Sequence, residues 1–287
     1  MKTTLKLLGH STALLIFWIM SSMILTPLFD IQEPEQDNPA LSLLLMWLVC
    51  LLNVSVLHLY LVNTGLSKLQ RALHLFVLLF GIQWFMSQME SWFFIDEAVM
   101  SRSFIIFLII NGILMSLFYA LMTYFTYPFV AKTSDISWLS NKQLVIRTVI
   151  AALLIYPAIY FCFGYFIAWQ SPDLREYYTG STDNAGFLTM MYHNIFESTL
   201  YVFQIFRTLL WLGLGWFMLN GFNGSRKNAM ITLGLLFAVI MNSGHLLPNH
   251  IMPDMVRFYH AIETSSSNFL WGIIVVILFT KSTDITA

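Results

Sequence analysis

Residues 241–269, MNSGHLLPNHIMPDMVRFYHAIETSSSNF, gather three of the chain's seven histidines. Two runs flank them, Ala229–Ile240 and Leu270–Thr280, both too apolar for the surface of a soluble protein. A polar turn between such runs reads as a loop at one membrane face, with polar groups continuing down both adjoining helices. Polar and ionisable groups are costly in hydrocarbon unless they face protein or water, so this pattern points to an intramembrane site.

Working outward, the rest of the chain has the same character. Hydrophobic residues make up 58% of the 287 positions and charged residues 10%, too little polar side chain to cover a soluble globule. A helix crosses hydrocarbon with roughly 20 apolar residues at ~1.5 Å each. Eight such runs are present, at 12–29, 40–62, 72–93, 103–127, 146–169, 188–219, 229–247 and 257–280. The expected fold is an all-α polytopic bundle of eight transmembrane helices, forming a single transmembrane domain over 1–287. The first run is longer than a secretory h-region and lacks a small-residue cleavage site, so it reads as a membrane anchor. Cys50 and Cys162 fall inside apolar runs and read as small buried residues, not as a disulfide framework. A net charge of −1 with no basic arm gives no footing to a nucleic-acid partner.

Loop charge orients the helices, because Lys and Arg resist translocation. Lys2 and Lys6 precede the first run, and Lys68 and Arg71 lie between the second and third. Lys132, Lys142 and Arg147 follow the fourth, Arg226 and Lys227 the sixth, and Lys281 the last. The alternate connectors hold only Arg102, Arg175 and Arg257, and Asp30–Asp37 is purely acidic. Both termini are therefore expected in the cytoplasm, in a plasma membrane of the bacterial inner-membrane type. Asn63 pairs with Asn220 at an offset that also pairs Leu78-Leu79-Phe80 with Leu235-Leu236-Phe237 and Val99 with Val256. That offset suggests a parallel 4+4 repeat with halves 1–130 and 143–287.

The apolar runs carry polar stripes. With His193 as zero and ~100° per residue, Glu197, Gln204 and Arg207 all fall within about 40° of it on the sixth run. Gln83, Ser87 and Glu90 share a face of the third within about 60°. His260, Glu263, Thr264 and Ser267 lie within about 100° on the eighth, and the seventh ends in Asn242 and His245. Counted by helical rise, Glu90, His193, Glu197, Asn242, His245, His260 and Glu263 form one layer roughly 3–12 Å below the outer surface. Gln83, Gln204 and Arg207 extend it inward.

Imidazole and carboxylate at such spacing suit a divalent metal ion such as Zn, Fe or Mn, with His193, His245, His260 and Glu90 as ligands. Glu197, Glu263 and Arg207 would then serve as catalytic groups for hydrolysis or transfer on a membrane lipid, a lipid-linked substrate or another small molecule. The same layer also suits a proton- or cation-coupled transporter. A third reading takes His58 and His74, at one depth across a short turn, as the axial ligands of a haem in an electron carrier; interface histidines are the blander account. The nearest bland accounts of the layer are turn histidines at His245 and His250, and snorkelling at Glu90 and His193. Tyr177, Tyr178, Trp92, Trp138, Trp169 and Tyr192 read as an aromatic belt. No P-loop, dinucleotide fingerprint, nucleophile elbow or C-x-x-C is present, and Ser265-Ser266-Ser267 reads as helix hydroxyls bonded back to the preceding turn.

The topology can be checked directly. In a background with Cys50 and Cys162 replaced, cysteines at Ser140 and Ser181 should react with an impermeant thiol reagent from opposite sides. Reaction of both from one side would overturn the loop-charge orientation.

Overall fold

The computed structural model of the chain describes residues 2–29, 31, 38–97, 99–128, 136–249 and 251–281. His250 and Lys132, along with most of the acidic first connector, lie outside them. Among the described residues the chain is helical: α1 Lys2–Leu25, α2 Pro39–Val62, α3 Lys68–Phe94, α4 Arg102–Thr126 and α5 Asn141–Gln170. There follow α6 Pro172–Thr179, α7 Phe187–Phe196, α8 Leu200–Gly221, α9 over 226–242 and α10 Asp254–Phe279. Seven of these, α1 with its 3-10 extension to Leu28 and α2, α3, α4, α5, α8 and α10, are long and apolar enough to cross a membrane. Large apolar side chains such as Phe125, Leu154 and Val202 are exposed on them, as lipid-facing positions should be. The chain is a multi-pass helical membrane protein.

Two expected spans are altered. The run at 188–219 is not one helix: α7 stops at Phe196, and α8 begins at Leu200. Ser198 is the physical reason. Its hydroxyl donates to the Asn194 carbonyl and accepts from the Leu200 amide, offering the backbone an alternative to the helical ladder. The run at 229–247 is helical from Arg226 but tightens into a 3-10 turn at Ser243–Leu246. Its continuous helix is thus shorter than α8, whose 22 residues are the fewest among the seven. Three helices also contain π turns, at Phe80–Phe85, Ala151–Ile155 and Leu236–Ile240. Each π turn re-phases the faces that follow it.

The chain divides into two compact units. The first comprises Met1–Thr133, Gly221–Asn223 and Val239–Ile251. Here α1 and α4 are joined by Asn111, whose amide oxygen accepts from Ser21 at 2.7 Å and whose nitrogen donates to Ser22 at 2.8 Å. Trp84 lies over Gly112, where any Cβ would overlap the indole. Two cations cap the end of α4. Lys6 donates to the Thr126 carbonyl at 2.9 Å, and the buried Arg71 donates to Tyr127 and Pro128 at 2.7 and 2.9 Å. Cations suit a helix C-terminus, where the last carbonyls lack amide partners. A short antiparallel bridge pairs Thr64 with Phe222, and the Asn223 amide donates to Asn63.

The second unit comprises Ser134–Asn220, Gly224–Ala238 and Met252–Ala287. In it the backbones of α9 and α10 approach closely. A Cβ on Gly272 would come within 2.6 Å of Gly234 Cα, and one on Gly234 within 3.0 Å of the Phe269 carbonyl. Small residues allow this approach, which is how membrane helices gain packing without a hydrophobic drive. Trp211 of α8 stacks obliquely on Phe237, with ring centres 4.3 Å apart. A second bridge pairs Trp138 with Thr280, and Arg226 donates to the Thr280 hydroxyl at 2.8 Å. Cys50 is buried as expected, whereas Cys162 is exposed.

Packing at the glycine crossing is directly testable. Gly272→Val should cost about 1–3 kcal/mol or more through overpacking, read as a lower thermal midpoint in detergent. Gly213→Val, with nothing within 4 Å of the new Cβ, should leave the midpoint in place.

Candidate functional site

Local chemistry first sets the short helix α6. Ser171 caps it by accepting from the Leu174 amide, Pro172 occupies its first turn, and Gly180 ends it in the left-handed region at φ +69. Leu174 and Ala168 pack on Val256 at the start of α10, with Trp169, Tyr177, Tyr178 and Tyr259 around them. The buried Arg175 donates to the Trp169 and Thr182 carbonyls, fixing the loop on either side. An open cleft of about 430 Å³ is lined here by Asp173, Glu176, Tyr177, Pro253, Asp254 and Met255. Burial pushes the Tyr177 phenol above its usual range, so it stays neutral beside these carboxylates.

This packing sets Tyr178 against α10. Its hydroxyl is 3.0 Å from His260 Nε2, with the two rings edge to face. The other ring nitrogen of His260, Nδ1, is 3.8 Å from a carboxylate oxygen of Glu263 one turn on. That is too long for a direct hydrogen bond but within ion-pair reach once the imidazole is protonated. Glu263 is 5% exposed. Further along the same helix, Ser267 and Asn268 are also buried. Thr264 and Ser267 donate their hydroxyls to the preceding turn, as does Ser266.

Deeper in the second unit stands Arg207, 3% exposed. Its guanidinium lies over the rings of Tyr156 and Tyr160, at 5.7 and 5.9 Å, and donates to Gln204 at 3.4 Å. Tyr156 accepts from Trp211 Nε1 at 3.1 Å, and its ring meets that of Trp271 at 4.9 Å. Arg207 therefore rests on aromatic faces brought by α5, a partner type not anticipated from the polar stripes.

The expected layer is distributed between the units. Glu90, Gln83, Asn242 and His245 belong to the first; His193, Glu197, Gln204, Arg207, His260 and Glu263 belong to the second. In the first unit, the Gln83 oxygen accepts from Asn53 at 2.9 Å, and the Asn53 oxygen accepts from Ser243 at 3.0 Å. Asn242 is buried, while Glu90 and His245 are half-buried. In the second unit, His193 and Glu197 bond to each other at 2.8 Å with both side chains more than half exposed. They do not share a helix with Gln204 and Arg207, because the break at 197–199 separates them. Among the described residues, no three His, Cys, Asp or Glu side chains gather closely enough to hold one metal ion. His58 and His74 are engaged by different tyrosines, Tyr127 at 3.1 Å and Tyr60 at 2.7 Å.

Sequence reasoning missed Tyr178, which composition alone assigns to the aromatic belt, and Tyr156, Tyr160, Asn268 and Trp271. Only Asn268 carried a signal, as an amide one position beyond Ser267 on a polar face. No protein-family model, curated protein or solved structure matches this chain.

Proposed function

We propose that the chain is a proton-coupled membrane transporter in which Glu263 takes up the coupled proton and His260, with Tyr178, delivers it. One observation carries this reading: Tyr178 Oη, both nitrogens of His260 and the buried Glu263 carboxylate stand in sequence, at 3.0 and 3.8 Å. With neutral His260 protonated at Nδ1, Nε2 accepts from the Tyr178 hydroxyl. A proton arriving at Nε2 gives an imidazolium hydrogen-bonded to Tyr178, and the Glu263 carboxylate, at ion-pair distance from Nδ1, balances its charge. Once the charged pair draws in to hydrogen-bond distance, transfer from Nδ1 to Glu263 leaves a neutral acid inside the bundle and returns the ring to its starting charge. A buried ionisable group on a membrane helix is where such relays are found.

The reading includes eight crossings with both termini cytoplasmic, so that the relay opens to the outer face. Parity supports the eighth. Trp138, just before α5, pairs with Thr280, just after α10, so both belong to one end of the second unit. The chain between them contains α5, α8 and α10, which is an odd number of crossings; returning to the same end requires 226–246 to cross as well. The closeness of Arg226 at the start of α9 to Thr280 at the end of α10 agrees with this. A metal-assisted hydrolase or transferase would need a third donor beside His193–Glu197 or His260–Glu263, and the described residues bring none within reach.

Pyranine-free charge measurement tests the relay without knowledge of the cargo. Proteoliposomes on a solid-supported membrane should give a transient charge displacement after a pH jump. Glu263→Gln should abolish it, and Tyr178→Phe should slow it about tenfold or more. Absence of the displacement in the unmodified protein, or its persistence in Glu263→Gln, would sink the proposal.

A further inference from the structure

Four basic side chains of the first unit converge on Tyr127, the residue that follows α4. Lys6 Nζ stands 4.3 Å from the centre of its ring, and the His10 ring meets that ring edge to face at 5.4 Å. His58 Nδ1 is 3.1 Å from its hydroxyl, and Arg71 donates to its carbonyl at 2.7 Å. Lys6 and His58 are both within electrostatic reach of His10, and Lys6 is within reach of His58. The four come from α1, α2 and α3, at the end of the unit where α1 begins. No carboxylate stands among them. The described carboxylates of this unit are Glu90, Asp96 and Glu97, at or past the other end of α3. Even Glu90 lies a rise of ~28 Å beyond Arg71.

Capping the end of α4 accounts for Lys6 and Arg71 but not for the histidines. The second unit closes the end of α10 with Arg147, which donates to the Ile277 carbonyl at 3.0 Å, and with Arg226 on the Thr280 hydroxyl. Two arginines serve there without an imidazole. His10 is 7% exposed, and its buried Nδ1 has no hydrogen-bond partner among the described residues. The buried Nε of Arg71 likewise has no acceptor among them. Of His58, only Nδ1 is bonded to protein. Buried polar atoms without partners cost folding free energy, and gathered cations repel one another. An oxyanion relieves both, because it brings oxygen lone pairs and negative charge together.

The apolar side chains beside the cluster point to the kind of oxyanion. Leu5 and Leu8 lie either side of Lys6 on α1, Leu59 follows His58 on α2, and Phe125 comes just before Tyr127 on α4; all four are exposed. In a multi-pass protein those are lipid-facing positions, so a phosphate held by the cluster has carbon surface alongside it for acyl chains. Basic groups between helices at a membrane interface are a setting in which anionic headgroups bind. We propose that Lys6, His10, His58 and Tyr127 bind the phosphate of an anionic membrane lipid, and that Arg71 adds to the positive field. Lys6 supplies charge, the two imidazoles supply hydrogen bonds, and the Tyr127 hydroxyl fixes the His58 ring through its own bond to Nδ1. This site goes beyond the transport reading and does not depend on it.

Native mass spectrometry of the purified protein, titrated with phosphatidylglycerol or with phosphatidylcholine, tests the site. Both lipids carry a phosphate, but only phosphatidylglycerol has net negative charge, so it should bind about tenfold more tightly. Lys6→Gln and His10→Leu should each weaken phosphatidylglycerol binding about tenfold, as loss of a hydrogen bond to a charged group does. Lys68→Gln removes an exposed lysine at the same end of the unit and should leave binding in place. His10→Leu should also leave the thermal midpoint of the delipidated protein unchanged or raised, because it removes a buried polar atom without a partner. A purely structural histidine would lower it. Lys6→Gln also loses a helix cap, so if it does not yield monodisperse protein, His10→Leu decides alone. Equal binding of the two lipids, unchanged binding in His10→Leu, or an equal loss in Lys68→Gln overturns the site. Excess inorganic phosphate separates the two sources of phosphate. Phosphatidylglycerol should stay bound; its release would assign the cluster to a soluble phosphate and overturn the lipid.

Discussion

A guanidinium keeps its proton in proteins, so burying one in a membrane helix forces the surroundings to adapt to it. Arg207 is in that position. On insertion scales an arginine at mid-helix costs about 2.5–3.5 kcal/mol before any partner is found. The second unit answers with two tyrosine faces from α5 and an amide oxygen one turn back on α8. Tyr156 and Tyr160 follow directly on the π turn at Ala151–Ile155, which adds a residue to the turn and rotates the face after it. The aromatic floor under the cation thus depends on a local departure from α geometry. The same dependence recurs where Gln83 sits inside the π turn of α3 and Asn242 follows that of α9.

Those departures mark the limit of what the residues reveal in order. Apolar length is an average over many side chains, and it located four of the seven long helices, α2, α3, α4 and α10, to within four residues at each end. Bridges at Thr64–Phe222 and Trp138–Thr280 join links that loop charge had assigned to one side. Phase is a different matter, because an angular stripe presumes an unbroken helix of constant period. The stripe from His193 to Arg207 failed there: Ser198 diverts two backbone groups and ends the helix. The hydroxyl that did so was visible in the sequence, but a serine mid-run more often bonds back without breaking anything, as Ser266 does on α10.

The polar residues divided along a similar line. That Glu263 and Arg207 are buried was legible, because charge in hydrocarbon must face protein or water. Tyr178 was not, since an interfacial tyrosine is the commonest kind in a membrane protein, and only the packing of Leu174 on Val256 turns it towards His260. Trp271 was hidden for the opposite reason: an indole in an apolar run looks like filler until its nitrogen is found without an acceptor.

The two ends of α10 are held with very different firmness, and that difference has mechanical meaning. Around Gly234 and Gly272 the backbones of α9 and α10 touch, so the region of Asn268 and Trp271 moves only as a block. Tyr178, in contrast, belongs to an eight-residue helix held by a small apolar cluster outside the spans. Lifting α6 would break the Tyr178–His260 contact while leaving the glycine crossing intact. Proton access to Glu263 would then change without repacking α9 against α10. A coupled transporter needs such independence, since its ion gate must respond before its cargo site lets go.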